Sequence, residues 1–141
     1  MVAGDAFVVR IPRVLYDEMF THIAEGYPYE ACGALGSKDG LVVEHYPTFN
    51  AAEQPDDFSI IAPDDLLDIY DAIEAYNGDM IYYHSHPKSE AYPSRRDKDY
   101  AKLNKIPYII FSYRFYPEPP YARVFLVQDD DSVIEGRVEI V

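Results

Sequence analysis

Residues 84–97 read HSHPKSEAYPSRRD, with two histidines one residue apart and an aspartate at the end of the stretch. On a β-strand, side chains alternate between the two faces, so His84 and His86 would point the same way. Their Cα atoms would lie roughly 6.5 Å apart, which lets both imidazoles reach one metal ion at about 2.0–2.1 Å. Asp97 supplies a third candidate ligand from the next element. Three protein ligands and one open position are more typical of a catalytic zinc site than of a structural one.

Length and composition predict one globular domain covering residues 1–141. Hydrophobic residues make up 48% of the chain, yet no apolar run reaches the roughly 20 residues of a membrane helix. The N-terminal segment has no basic head followed by an apolar block, so no secretory signal is expected. Cys32 is the only cysteine, which excludes an intrachain disulfide. Together these features favour a cytoplasmic location and no membrane partner.

The formal net charge is −13, which argues against non-specific nucleic-acid binding because the phosphates would repel the protein. An acidic surface fits an ordinary soluble protein or adaptation to high salt. Half of the basic residues nevertheless fall close to the histidines. This basic cluster consists of Lys88, Arg95, Arg96, Lys98, Lys102 and Lys105. It is either a solvated helix face or a positive patch that steers an acidic partner or carboxylate tail toward the metal.

The N-terminal part of the chain predicts a strand at 6–11 and a helix from Pro12 to about Glu25. Apolar residues at helical spacing form the expected core face of this helix: Val14, Leu15, Met19, Phe20 and Ile23. His22 falls on the same helix and is expected to be exposed. Next, a strand beginning near Glu30 should turn back into a second strand at 41–46, which makes a hairpin.

Residues 47–57 predict a loop, and acidic residues at 63–65 predict the start of a second helix. Its expected apolar face consists of Leu66, Ile69, Tyr70, Ile73 and Tyr76. Residues 80–86 then predict a strand that carries the two histidines.

Ser94 is a suitable N-cap with Asp97 three positions later, so a helix is predicted over 95–104. The same two residues could serve only as a helix cap. Three further strands are expected at 108–113, 121–127 and 133–141. This order of elements predicts an α/β or α+β fold: one curved mixed β-sheet flanked by about three helices.

The pattern resembles the JAMM, or MPN+, family of zinc metalloproteases. The signature of that family is an upstream Glu, then His-x-His-Pro, and then Ser and Asp at fixed spacing. Here those positions are Glu30, residues 84–87, Ser94 and Asp97, with the spacing intact. Residues 30–36, Glu-Ala-Cys-Gly-Ala-Leu-Gly, also resemble the Glu-x-Cys-Gly segment of the family.

By this resemblance, His84, His86 and Asp97 would bind one Zn²⁺, with a water in the fourth position. Zinc would lower the pKa of that water to about 7. Glu30 would accept the proton of the water and deliver it to the leaving amine, which requires burial to raise its pKa from about 4.3 toward ~6–7. Ser94 would donate a hydrogen bond to the developing oxyanion.

Members of this family cleave peptide or isopeptide bonds after the C-terminal tail of ubiquitin or ubiquitin-like proteins. The short chain resembles compact prokaryotic members, which are associated with small sulfur carriers ending in Gly-Gly. The resemblance therefore implies a metalloprotease or isopeptidase acting on such a carrier rather than on ubiquitin itself. The motif fits three reactions equally: carrier maturation, release of a carrier-bound amino acid and deconjugation of proteins. It does not indicate the oligomeric state.

Two alternatives fit part of the pattern. Gly78, His84, His86 and Glu90 match the spacing of the first cupin motif, but Asp97 stands where that motif expects its next glycine. No histidine follows His86 to serve a second cupin motif, and two helical stretches fit poorly in a jelly roll. A JAMM-like domain that has lost its metal and acts only as an interaction scaffold is the other alternative. The filled ligand and glutamate positions argue against it.

Overall fold

A computed structural model of the protein describes residues 7–141 and contains three helices and eight strands in that range. The helices are α1 (Arg13–Gly26), α2 (Pro63–Glu74) and α3 (Arg95–Asn104). The strands are β1 (Val8–Ile11), β2 (Cys32–Lys38), β3 (Leu41–Thr48), β4 (Asp79–His86), β5 (Tyr108–Ser112), β6 (Tyr121–Val127), β7 (Val133–Glu135) and β8 (Arg137–Ile140). Residues 1–6 lie outside the described residues. They include the first position of the strand predicted at 6–11 and the N-terminal segment in which no secretory signal was expected. Within 7–141, no helix has both the length and the apolar character needed to span a membrane.

All eight strands belong to one mixed sheet, in the order β7-β6-β5-β4-β2-β3-β1-β8. Strand β4 lies inside this order, antiparallel to β2 on one side and parallel to β5 on the other. The predicted hairpin is present, since β2 and β3 pair antiparallel around a turn in which Asp39 and Gly40 have positive φ. The predicted fold class, a curved mixed sheet with three helices, is confirmed.

Side-chain alternation along β4 divides its residues between two hydrophobic cores. Tyr83 belongs to the core under α1, whereas Tyr82 belongs to the core under α2 and α3. His84 follows the Tyr82 side, and the two rings lie 5.5 Å apart between centroids. By the same alternation His86 lies on that side too. The pleat therefore presents both histidines to the face of the sheet that α3 covers.

Two residues predicted to lie in the core are exposed. Met19 and Ile23 on α1 are buried as predicted, but Val14 is 65% exposed. At 100° per residue, Val14 points about 140° away from Met19 and therefore faces solvent. Tyr70 on α2 is 39% exposed for the same reason, because it is rotated by 100° from the buried Ile69.

The prediction that His22 is exposed is also wrong. Its ring is half-buried, and Nε2 lies 2.9 Å from the carbonyl oxygen of Cys32 and 3.1 Å from that of Thr48. Both partners only accept, so Nε2 carries a proton and donates to them. The contact fastens α1 to the ends of β2 and β3.

The single strand predicted at 133–141 is in fact two strands, divided at Gly136. Strand β7 pairs with β6, whereas β8 pairs in parallel with β1, and these partners lie at opposite ends of the strand order. Since one residue joins the two ends, the sheet must curl until its outermost strands meet. A Cβ at position 136 would lie 2.7 Å from the carbonyl oxygen of Phe7, so the junction has no room for a side chain.

Candidate metal centre

The two histidines of β4 lie side by side, with their Nε2 atoms 3.1 Å apart. Both are buried, with exposures of 1% for His84 and 4% for His86. The Nδ1 atom of His86 lies 2.8 Å from the carbonyl oxygen of Glu90. Because a carbonyl only accepts, Nδ1 carries the proton, and the lone pair of the neutral ring is on Nε2. The Glu90 carbonyl thus orients His86 as a ligand through Nε2.

Asp97 enters the same space from the first turn of α3. The Oγ atom of Ser94 accepts a hydrogen bond from the Asp97 N–H (3.1 Å), and Asp97 Oδ2 accepts one from the Ser94 N–H (3.0 Å). This capping box starts the helix and holds the carboxylate in place. Burial by itself raises the pKa of Asp97, but His84 and His86 outweigh burial and hold that pKa well below its usual range. The group is therefore a carboxylate, and it both caps α3 and faces the histidines.

The two Nε2 atoms and Asp97 Oδ2 form a triangle, in which Oδ2 lies 2.9 Å from His86 Nε2 and 3.3 Å from His84 Nε2. Ligands at about 2.0–2.1 Å from a tetrahedral centre are separated by roughly 3.3–3.4 Å. The triangle is therefore close to one face of a zinc coordination tetrahedron. Two imidazoles and one carboxylate are also a donor set that zinc accepts.

Glu30 lies behind this triangle, in the connection between α1 and β2. One of its carboxylate oxygens lies within 4.8 Å of the ligand nitrogens of both His84 and His86. The residue is 7% exposed, and Oε1 accepts no hydrogen bond from any residue in 7–141. Burial raises the pKa of Glu30, although His84 and His86 oppose the rise. A buried carboxylate with a raised pKa and a free oxygen is suited to take up and release a proton.

Ser94 lies at the exposed rim of the site. Its Oγ accepts from the backbone of α3, which leaves its own hydroxyl hydrogen available to donate. The structure thus brings together all five residues predicted from the sequence: Glu30, His84, His86, Ser94 and Asp97.

A pocket of about 620 Å³ opens beside Glu30. Its walls come from the end of α1, the connection that carries Glu30, and residues 48–55. We call it the Glu30 pocket. Two further carboxylates, those of Glu25 and Glu53, are among its lining residues, which include no lysine or arginine. The aromatic side chains of Tyr29 and Phe49 also line it.

Residues 12–125 match the family described as prokaryotic homologs of the JAB domain. The chain belongs to this family. The matched range of the JAB domain contains all five residues of the site. This finding confirms the resemblance to the JAMM, or MPN+, family predicted from the motif.

Several known proteins resemble this JAB domain along most of its length. The CysO-cysteine peptidase of Mycobacterium tuberculosis is 32% identical over 141 residues, which covers 98% of this chain and 94% of that protein. The desampylase of Haloferax volcanii is 34% identical over 103 residues, covering 68% of this chain and 74% of the relative. A protein of Desulfitobacterium hafniense with a known solution structure superposes with a TM-score of 0.81 at 28% identity, covering 94% and 92% of the two chains.

These relationships confirm the predicted enzyme class: the JAB domain is a JAMM-type metallopeptidase. The cupin alternative is wrong, because the mixed sheet with three helices is not a jelly roll. Glu90, its proposed ligand, instead directs its exposed carboxylate toward Arg114 at 3.9 Å. The scaffold alternative is not supported, since the ligand-type side chains and Glu30 are in place.

Much of the basic cluster of the JAB domain is paired with acidic side chains. Arg95 lies 2.9 Å from Asp131, and Lys102 contacts the same carboxylate. Lys105 lies 3.6 Å from Asp129. These pairs reduce the positive field around α3, which favours the solvated-face interpretation for the three residues. Steering of an acidic partner stays a prediction.

Sequence reasoning missed two polar residues that act on Glu30, Asn50 and Ser59, and Tyr82, whose hydroxyl contacts Ser59. Asn50 and Ser59 lie outside helices and strands, where no periodic pattern indicates which side chains are buried. The preference of asparagine for hydrogen bonds to neighbouring backbone was the one available signal. Tyr82 was hidden among the aromatic residues of a buried strand.

Proposed function

We propose that this JAB domain is a zinc-dependent peptidase or isopeptidase that cleaves the bond after the C-terminal Gly-Gly of a ubiquitin-like, sulfur-carrier type protein. The observation that carries the proposal is the triangle of His84, His86 and Asp97 with the free oxygen of Glu30 behind it. The substrate class is supported by the relatives, one of which is a CysO-cysteine peptidase and another a desampylase.

We assign one Zn²⁺ per chain to Nε2 of His84, Nε2 of His86 and Oδ2 of Asp97. When bound, the ion supplies Lewis acidity, which lowers the pKa of a coordinated water to about 7. The three ligand atoms lie 2.9–3.3 Å from one another. The Glu90 carbonyl orients His86, and the capping box orients Asp97.

Glu30 is the general base and acid in this proposal. Its buried carboxylate takes the proton of the attacking water through the unpartnered Oε1, and its raised pKa lets it pass that proton to the leaving nitrogen. Since proton transfer needs a heavy-atom distance of about 2.6–3.2 Å, the leaving group must lie against Glu30. We assign the leaving group to the Glu30 pocket, because Glu30 is among the residues that line it.

Ser94 stabilises the negative charge that develops on the carbonyl oxygen of the scissile bond. Its hydroxyl hydrogen is free because Oγ is held by the Asp97 N–H. Removing a single donor of this kind typically lowers kcat by about 10²–10³-fold.

Zinc binding and cleavage test this function directly. The substrate is a small ubiquitin-like carrier whose terminal Gly-Gly is fused to a peptide. We expect one bound zinc per chain, loss of cleavage with a chelator and recovery when zinc is added back. A protein that binds no zinc and gains no cleavage from added zinc would overturn the proposal.

Glu30→Gln separates the base from the metal site. We expect this variant to keep its zinc and lose cleavage, because the amide cannot take up the proton. Glu139→Gln is the matched control, since Glu139 is a partly exposed glutamate that pairs with Arg137 on β8. Retained cleavage in Glu30→Gln would show that another group moves the proton.

A further inference from the structure

The backbone of Glu30 is held by one loop, residues 49–61, which we call the clamp loop. The Glu30 N–H donates to the carbonyl oxygen of Pro55 at 2.7 Å, and Asn50 Nδ2 donates to the Glu30 carbonyl oxygen at 2.9 Å. Glu30 precedes β2, so strand pairing does not satisfy these groups. Because buried backbone groups require partners, the clamp loop determines where the Glu30 peptide lies.

Asn50 makes as many hydrogen bonds as its side chain allows. In addition to the Glu30 carbonyl oxygen, Asn50 Nδ2 donates to the Phe58 carbonyl oxygen at 3.0 Å. Its Oδ1 accepts from the N–H groups of Ala52 (3.0 Å) and Ile60 (3.2 Å). Two donors and two acceptors are thereby used. One amide links both ends of the clamp loop to Glu30, and it has no spare group with which to adopt another arrangement.

Ser59, near the end of the clamp loop, carries a hydroxyl that affects the pKa of the Glu30 carboxylate by hydrogen bonding. It is 2% exposed, and its hydroxyl lies 2.8 Å from the hydroxyl of Tyr82. The Tyr82 ring packs against His84. If Tyr82 donates to Ser59, the hydroxyl hydrogen of Ser59 is free for Glu30. Consistent with that direction, Ser59 opposes the burial-driven rise in the Glu30 pKa.

We propose that Asn50 and Ser59 are positioning residues for Glu30: Asn50 holds its peptide, and the Ser59 hydroxyl aims its carboxylate at the space before His84 and His86. The inference rests on the proposed function, in which Glu30 moves the proton. A carboxylate with an unbonded oxygen is free to rotate unless a neighbour restrains it. Misplacement of a reacting group by about 1 Å is enough to cost roughly 100-fold in rate.

Ser59→Ala and Asn50→Asp test the two contacts separately. Asn50→Asp keeps the acceptor oxygen but loses the donors to Glu30 and Phe58. We expect each variant to lower kcat by about tenfold or more, with KM within twofold and one zinc still bound per chain. Ser59→Thr should restore most of the activity, because threonine keeps the hydroxyl.

The chain offers a matched control for each variant. Ser37 is also a buried serine, and its Oγ donates to the Asp79 carbonyl oxygen (3.4 Å) away from the site. Asn104 Nδ2 also donates to two oxygens, those of Tyr100 and Tyr108. Ser37→Ala and Asn104→Asp should keep kcat within twofold of the unchanged protein. If Ser59→Ala and Asn50→Asp match these controls, the inference is wrong.

Crystal structures of the zinc-loaded Ser59→Ala variant and the unchanged protein test positioning without relying on turnover. We expect the Glu30 carboxylate to be ordered in one rotamer in the unchanged protein and spread over several in the variant. A single, unmoved rotamer in the variant would overturn the inference. If the proposed function is wrong, the unchanged protein will neither bind zinc nor cleave the substrate. The position of the Glu30 carboxylate can still be measured in that case.

Discussion

Replacing Asp97 with asparagine separates its role in capping α3 from its proposed role in binding metal. Asparagine has nearly the same shape, and its carbonyl oxygen can still accept the Ser94 N–H that Oδ2 accepts at 3.0 Å. What it lacks is the negative charge that faces His84 and His86 at 3.3 and 2.9 Å. The substitution therefore leaves the helix cap largely intact and weakens the third corner of the triangle.

The two effects differ in size. A negative charge in the first turn of a helix contributes about 0.3–1 kcal/mol, and an intact N-cap about 1 kcal/mol. Loss of the charge at the helix cap should therefore lower the unfolding free energy of the metal-free variant by no more than about 2 kcal/mol, and loss of the buried contact with His84 and His86 adds to that fall. Zinc affinity should fall by more than about 100-fold, because loss of even an outer-shell partner of a zinc ligand costs about 10–100-fold.

Urea unfolding of metal-free protein gives the first quantity, and zinc titration against a competing chelator dye gives the second. Asp130→Asn is a suitable control, since Asp130 also accepts a hydrogen bond from a serine N–H, that of Ser132 at 3.0 Å, in the β6–β7 turn. If Asp97→Asn binds zinc within threefold of this control, Asp97 is only a helix cap and the assigned ligand set is wrong.

Three further outcomes follow from other parts of the molecule. Helix α2 carries acidic residues and no basic one, so its like charges repel one another. Salt screens this repulsion, since the Debye length shrinks from about 10 to 3 Å between 0.1 and 1 M NaCl, and the Tm should rise over that range. A Tm that does not change with salt would contradict this. Burial lowers the pKa of His45 despite the opposing effect of Glu18, so the unfolded chain binds the proton more readily. The free energy of unfolding should therefore fall as the pH drops below about 6.5, and it should fall less in His45→Gln. Urea unfolding at pH 7.5 and pH 5 measures both losses, and an equal loss in the two proteins would argue against this role of His45. Gly136→Ala should destabilise the protein by about 1–3 kcal/mol through its contact with Phe7, and an unchanged thermal melt would refute that reasoning.

The parts of the site that were predictable from the sequence are those that depend on the spacing of residues close together in the chain. A period of two places His84 and His86 on one face, and a Ser-x-x-Asp pattern starts a helix at residue 95. Glu30 is different, because nothing in its own surroundings indicates that it returns to the histidines. Its place was predicted through the resemblance to a family, and the structure brings it there by pairing Cys32 with His84 across β2 and β4.

The errors arise where long-range packing decides the outcome. Val14 has the composition of a core residue, but the rotation of α1 against the sheet turns it to solvent. His22 has the composition of a surface residue, but it is half-buried because β2 begins and β3 ends beside it. The side chain of Asn50 hydrogen-bonds to backbone groups, and residue types do not reveal which backbone groups lie near it. In each case the residue type is compatible with two environments, and only the assembled sheet selects one of them.

The curl of the sheet at Gly136 also bears on how the protein meets other chains. The outer strand of an open sheet presents unpaired N–H and C=O groups, which invite strand addition and aggregation. Here the N–H of Gly136 donates to the Val124 carbonyl oxygen, and the N–H of Arg137 donates to that of Phe7. These bonds use backbone groups that would otherwise lie open where the two rims of the sheet meet. At that junction an incoming strand finds paired backbone, so strand addition is not expected there.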